Sequence, residues 1–316
     1  DNANDFCKRW IEKIDYIKQN NFDWFIDDLE EIIFCNDLKD QKKILFSNEN
    51  SNKINVQSWE EISQKLLNNW TLEDVKNMCN IIINQEIESI EKLQGRGNSA
   101  IYKLYLSSGH KAALKMYPEI SYHNRLKSEF ESTKIFQELG IKNVQKPISF
   151  NHSLGVASYE WIEGEKVTKY GVEELNAALS FLSVLNDKSK AESFKNFPFA
   201  ADSCPRGQDI EMQIKRRLLQ LEEPSKKHNE LNKFLKNDFK SLFNEITSWS
   251  QTSWPSNEDY KIPLKKNELI LSPSDFGFHN AIHRKDGGIV YIDFEYFGWD
   301  DPVKLTSDFI WHAGMM

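Results

Sequence analysis

The chain has 316 residues, 40% of them hydrophobic, enough for two or three domains with a sizeable core. Its net charge of −8 excludes a general nucleic-acid binder, which needs a basic surface. No apolar run reaches the roughly 18 residues of a membrane span, and the polar start "DNANDFCKRW" is no secretory signal.

Four cysteines (Cys7, Cys35, Cys79 and Cys204) lie far apart with no C-x-x-C pair. That spacing offers neither a zinc site nor a disulfide framework, and it reads as reduced thiols in a cytoplasmic protein. Residues 1–20 read as a helix with Phe6, Trp10, Ile14 and Ile17 on one face. "FDWFIDDLEEIIF" predicts a short strand ending in Asp27 and Asp28, then a helical turn. "KKILF" predicts another strand. "VQSWEEISQKLLNNW" predicts an amphipathic helix capped by Ser58 and Glu61. A second capping box, Thr71 with Asp74, opens a helix expected to run to about Ser89. Residues 1–89 thus read as a mainly helical extension.

The pattern changes at residue 90. "IEKLQGRGNSAIYKLYLSSGHKAALKMYP" alternates like three antiparallel strands with turns at Gly95–Gly97 and Ser107–Gly109. "NRLKSEFESTKIFQELGI" is a helix stopped by Gly140. "PISFNHSLGVASYEWIEG" predicts two more strands. Helices follow at about 171–186, 208–222 and 229–250, with Pro198, Pro205, Pro224 and Pro255 in the links, and strand signals return at 268–271 and 289–294.

Two motifs carry chemistry. "LSPSDFGFHNAI" holds Asp275 and Asn280 at D-x-x-x-x-N spacing, and "IVYIDFEYFGW" places Asp293 after an apolar run. Upstream, a strand bears Lys115 and the next helix bears Glu129, 14 residues on. The order (strands with a Gly turn, a strand Lys, a helix Glu, a linker, helices, two acid loops) is that of a kinase-like phosphotransferase. Over residues 90–312 the chain resembles the aminoglycoside phosphotransferase and choline kinase superfamily, most strongly in "SPSDFGFHN" and "YIDFEYFGWDDP".

The resemblance implies an α+β, bilobal protein-kinase-like fold. It would have an antiparallel N-lobe at 90–165 and a mainly helical C-lobe at 166–316, incomplete at its C-terminus. It implies ATP-dependent phosphorylation of a small-molecule hydroxyl, with ATP and Mg²⁺ as cofactors. Asp275 would orient or deprotonate the hydroxyl, while Asn280 and Asp293 hold Mg²⁺. Glu295 is open between a metal or substrate contact and a structural acid, and Asp308 braces the loop. Lys115, paired with Glu129, would hold the phosphates. Gly95, Gly97 and Ser99 form a degenerate phosphate turn that is also explained as a plain hairpin. Adenine would meet the backbone near Glu160–Ile162.

One departure stands out: the family's His two positions before the Asp is Pro273 here. It keeps open a catalytically degenerate nucleotide-binding or regulatory module. A protein kinase is disfavoured, because D-F-G and A-P-E are absent. His279, inside the loop, is open between helping to position the loop or the phosphate and being incidental, and the other histidines, His312 among them, show no metal-ligand spacing. Asp202, Asp209 and Glu211 are open between welcoming a cationic acceptor and being solvated.

Residues 1–89 carry one further likeness. Asp27–Asp28 at a strand end is similar to the last acidic motif of haloacid-dehalogenase-type phosphatases, so the extension reads as a remnant of such a domain or as a helix-start acidic pair. The apolar cluster Leu305, Phe309, Ile310 and Trp311 leads to the expectation of a fragment that self-associates. No nucleic-acid or membrane partner is expected.

Overall fold

The computed structural model describes the chain except residues 1–2, 21, 23–24, 34, 39–42, 47–54, 57–70, 94–98, 118–122, 153 and 313–316. The helix expected at 57–70 and the glycines of the phosphate turn therefore lie outside the described residues. The chain divides into two compact units. One comprises residues 1–130 with 145–162, and the other comprises 131–144 with 163–316.

The first unit begins with α1 (Ala3–Gln19), β1 (Phe25–Asp27), α2 (Glu30–Ile33), β2 (Lys43–Phe46) and β3 (Asn55–Val56). The three strands form a parallel sheet in the order β1-β2-β3; β1 and β2 lie where strands were expected, and β3 was not expected. Ile14 and Ile17 of α1 pack with Ile32 and Leu38. Helix α3 (Leu72–Ile83) starts at the Thr71 capping box: the Thr71 hydroxyl accepts from Asp74 N–H at 3.1 Å, and Asp74 accepts from Thr71 N–H at 2.9 Å. It ends earlier than expected. Asn84 takes the left-handed conformation at φ 54°, closing the helix and freeing residues from 87 onward for a strand.

That strand is β4 (Ile87–Lys92). With β5 (Ala100–Leu106), β6 (Lys111–Met116), β7 (Pro147–Asn151) and β8 (Val156–Glu160) it makes an antiparallel sheet in the order β4-β5-β6-β8-β7. Alternation explains one face. Tyr102, Leu104, Leu106, Ala112, Leu114 and Met116 bury against Val75, Met78 and Cys79 of α3. Lys115 is an exception: it sits on the opposite face of β6 yet is only 7% exposed.

Helix α4 (Arg125–Glu138) runs across the division between the units. Gly140 ends it at φ +75°, with Ile141 N–H donating to Phe136 C=O at 2.8 Å, the bond of a glycine-capped helix end.

The second unit holds β9 (Gly164–Lys166), α5 (Val172–Lys188), α6 (Gly207–Lys227), α7 (Asn229–Lys233), a π-helical stretch at Phe234–Phe239, and α8 (Lys240–Thr252). Pro224 lies inside the last turn of α6 rather than in a link. The C-terminal part has β10 (Ile270–Ser272), β11 (Ala281–Arg284), β12 (Ile289–Tyr291), β13 (Gly298–Asp300) and α9 (Pro302–Trp311). Strands β9, β11 and β13 went unread in the sequence, since three or four residues carry too little pattern to declare a strand. Gly164 is fixed by the β9–β11 pairing: a Cβ there would stand 2.0 Å from the His283 carbonyl oxygen.

The core of this unit is aromatic. Phe136, Phe181, Phe194, Phe276, Phe278, Tyr291, Phe294 and Phe297 are all buried in it, and Phe136 meets Phe294 and Phe297 edge-on at 5.1 Å each. Of the apolar residues near the chain's end, Leu305 is buried and Phe309 packs on Phe276, so these two have cover. Ile310 and Trp311 remain exposed. No helix among the described residues is long and apolar enough to cross a membrane.

Candidate active site

Two ladders frame the acid loops. Strand β10 leads into the first loop and pairs with β13, which follows the second, in the register Leu271↔Trp299 and Ser272↔Gly298. Strand β11 leaves the first loop and pairs with β12, which enters the second, in the register Ala281↔Tyr291. Ile292 N–H donates to Asn280 C=O at 3.0 Å, so the backbone of Asn280 is tied to the residue before Asp293.

The local sequence aims the polar groups. In "DFGFHN", Phe276 and Phe278 are 3% and 1% exposed and anchor the loop in the aromatic core. Asp275, His279 and Asn280 are left half-buried. The turn before Asp275 is held without a His at position 273. Ser272 Oγ accepts from Ser274 N–H at 3.0 Å, Pro273 C=O accepts from Asp275 N–H at 2.9 Å, and Ser274 takes φ 66°. Asp293 also takes a left-handed backbone, at φ 70°. Such non-glycine residues cost about 1–3 kcal/mol each and concentrate at functional loops.

Three side chains converge on Asp275. Asn280 Nδ2 donates to its carbonyl at 3.0 Å and to Oδ2 at 3.3 Å. His279 Nε2 and His312 Nε2 each lie 3.1 Å from Oδ1. The imidazole rings stack at 4.0 Å with 5° between their planes. Burial pushes the Asp275 carboxyl up, but the His279 hydrogen bond, the two histidines' charge and Asn280 outweigh it and hold the group below the usual Asp range. His279, left open within the loop, and His312, set aside by spacing, thus both stand against the central acid. For His279 the signal was its place four residues after Asp275. For His312, brought in from the end of α9, there was none.

Asn280 and Asp293 offer the chemistry Mg²⁺ requires. The Asn280 amide nitrogen is turned to Asp275, which leaves its oxygen as the atom to meet a cation, and Asp293 supplies a carboxylate; both are hard ligands. Glu295 is 6% exposed. Asp308 pairs with Lys304 at 2.5 Å, and Lys304 also faces buried Asp300 at 3.5 Å, so Asp308 braces α9.

In the first unit, Lys115 Nζ donates to Glu129 Oε2 at 2.7 Å, with side chains 8% and 2% exposed. Tyr117, unflagged in the sequence, donates its hydroxyl to the same oxygen at 2.7 Å, lies 2.7 Å from the Tyr159 hydroxyl, and has its ring 4.9 Å from Lys115 Nζ. Burial and then the Glu129 charge push its pKa well up, so it stays a neutral donor. Ser99 is half-buried just before β5. Glu160 ends β8 with its N–H donating to Lys146 C=O at 2.8 Å and its C=O accepting from Gln145 at 2.9 Å. Ile162 is buried.

The acids offered for a cationic acceptor are neutralised within the chain. Asp202 pairs with Arg216 and Arg217, Asp209 with Arg206, and Glu211 with Lys215.

No protein-family model and no curated protein sequence matches the chain. Solved structures do. A spectinomycin phosphotransferase in complex with ADP and spectinomycin superposes at TM-score 0.51 with 15% identity, covering 78% of this chain and 75% of that one. A choline kinase from Streptococcus pneumoniae gives 0.48 at 16% identity, covering 79% and 73%. A Plasmodium vivax ethanolamine kinase gives 0.48 at 17%, covering 82% and 74%. On the first of these likenesses, with the five-stranded antiparallel sheet and the helical second unit, the chain has the kinase-like fold of that spectinomycin phosphotransferase.

Proposed function

We propose that the chain is an ATP-dependent O-phosphotransferase acting on a small-molecule hydroxyl. The observation that carries the reading is the loop at 275–280. An ionised Asp275 is fixed by Asn280 and the two histidines, beside a second acid loop tied to it by backbone bonds, in the fold of a spectinomycin phosphotransferase.

In this reading Asp275 orients the acceptor hydroxyl and takes its proton as the oxygen attacks the γ-phosphorus and the bond to the β,γ-bridging oxygen breaks, releasing ADP. Its lowered pKa keeps it ionised and fit to accept. Asn280 and Asp293 would hold Mg²⁺, which when bound neutralises charge on the transferring phosphoryl group. Lys115 is the fixed cation for the nucleotide phosphates, and Glu129 with Tyr117 hold its ammonium in place. The backbone of Glu160 is already taken up, so Trp161 and Ile162 are left to meet adenine. The internal pairing of Asp202, Asp209 and Glu211 removes the reason for preferring a cationic acceptor.

The test is Mg²⁺-dependent ATP turnover, alone and across sugars, amino alcohols and aminoglycosides. One acceptor should raise turnover well above the acceptor-free rate. Tight Mg·ATP binding with no stimulation by any acceptor would favour the regulatory module that Pro273 suggested.

A further inference from the structure

Asp275, His279 and His312 offer one carboxylate oxygen and two imidazole nitrogens, all within 4.8 Å of one another. We propose that these three side chains bind a late first-row dication such as Zn²⁺, Ni²⁺ or Co²⁺, and that filling the site stops phosphotransfer. The binding stands on the trio alone. The inhibition rests on the reading of Asp275 given above.

The spacing fits. Metal–nitrogen and metal–oxygen bonds of about 2.1 Å put neighbouring ligands about 3.0 Å apart in octahedral and about 3.4 Å apart in tetrahedral geometry. Each imidazole Nε2 stands 3.1 Å from Asp275 Oδ1. Both nitrogens stand against the same carboxylate oxygen, but the rings lie nearly parallel, so their lone pairs run side by side and one imidazole must turn about its side-chain torsions for both to meet one ion. Two imidazoles with one carboxylate form a set that selects transition dications.

The same donors discriminate against Mg²⁺, which takes oxygen ligands and holds its waters. The loop from 275 to 280 therefore presents two metal chemistries. Asn280 belongs to an all-oxygen site with Asp293, while His279 belongs to a nitrogen-rich one. The trio is reachable, because the three side chains are about a quarter to a third exposed.

What each imidazole's other ring nitrogen meets sets the strength. A ligating His ordinarily donates its other ring nitrogen to an acceptor, and lacking that partner costs about 10–100-fold in affinity. His279 Nδ1 is buried with no hydrogen-bond partner. The site is thus one a chelator strips readily, suited to reversible inhibition rather than to holding the fold. A bound dication would occupy Asp275 Oδ1, and the carboxylate could no longer take the hydroxyl's proton.

The experiment titrates the full chain with Co²⁺ in excess Mg²⁺, without nucleotide, and reads visible d–d absorption. A band should develop and vanish with chelator. His279→Ala and His312→Ala should each weaken Co²⁺ by at least about tenfold. His228→Ala, at an exposed histidine elsewhere, should not. His312 lies at the end of α9, so its variant tests the site with little risk to folding, checked by an unchanged melting profile. Absence of a band, or wild-type Co²⁺ affinity in both variants, overturns the site. Zn²⁺ should then inhibit turnover, with the inhibitory concentration raised at least about tenfold in His312→Ala. Co²⁺ bound at the trio with turnover untouched by Zn²⁺ would uphold the site and overturn the inhibition, and with it the role given to Asp275.

Discussion

At the scale of single residues, the site separates what charge does from what shape does. Asp275 is kept ionised by its neighbours against its burial. Lys115 is buried against the Glu129 carboxylate, itself held by the Tyr117 hydroxyl. Breaking such a buried pair from one side costs about 3–5 kcal/mol, because the remaining charge stays buried. Glu129→Gln should therefore lower unfolding free energy in urea by about 3 kcal/mol. The double variant Lys115→Met/Glu129→Gln should recover much of that loss while leaving Mg·ATP affinity poor. A double variant that binds Mg·ATP as wild type would remove Lys115 from nucleotide binding and leave the pair purely structural.

At the scale of elements, legibility followed length and pattern. The strands from 90 to 116 and the helix before Gly140 announce themselves by alternation, turns and caps, because local physics dictates them. The helix ending at Asn84 was overrun, since "IIINQEIESI" continues apolar through the boundary and only a left-handed Asn marks it. The short strands β9, β11 and β13 owe their state to partners far along the chain. The acids could be found by spacing. The His312 contact could not, as tertiary structure alone brings it to Asp275. Pro273 looked like a defect. In the fold, its carbonyl and the Ser272 hydroxyl hold the turn. Gly140 tests the cap logic. A Cβ there meets no atom within 4 Å, so Gly140→Ala suffers only the left-handed backbone. It should destabilise by about 1–2 kcal/mol, read as a lower urea midpoint with unchanged slope. No loss would mean that this backbone is not held at positive φ in solution.

At the scale of the molecule, each unit has its own core and its own part of the proposed chemistry. The first unit carries Lys115 on its sheet and Glu129 on α4, and the aromatic core of the second carries both acid loops. The central claim is that Asp275 governs transfer of a phosphoryl group from ATP to a small hydroxyl. The most direct test compares wild type with Asp275→Asn, following γ-labelled phosphate from ATP into the best acceptor of the panel, with Mg·ATP affinity measured in parallel. The account predicts Mg²⁺-dependent transfer by wild type. It predicts a loss of at least about 100-fold in the variant, the scale of a missing base or orienting group, with nucleotide affinity nearly unchanged. Transfer by Asp275→Asn within a few-fold of wild type would contradict it.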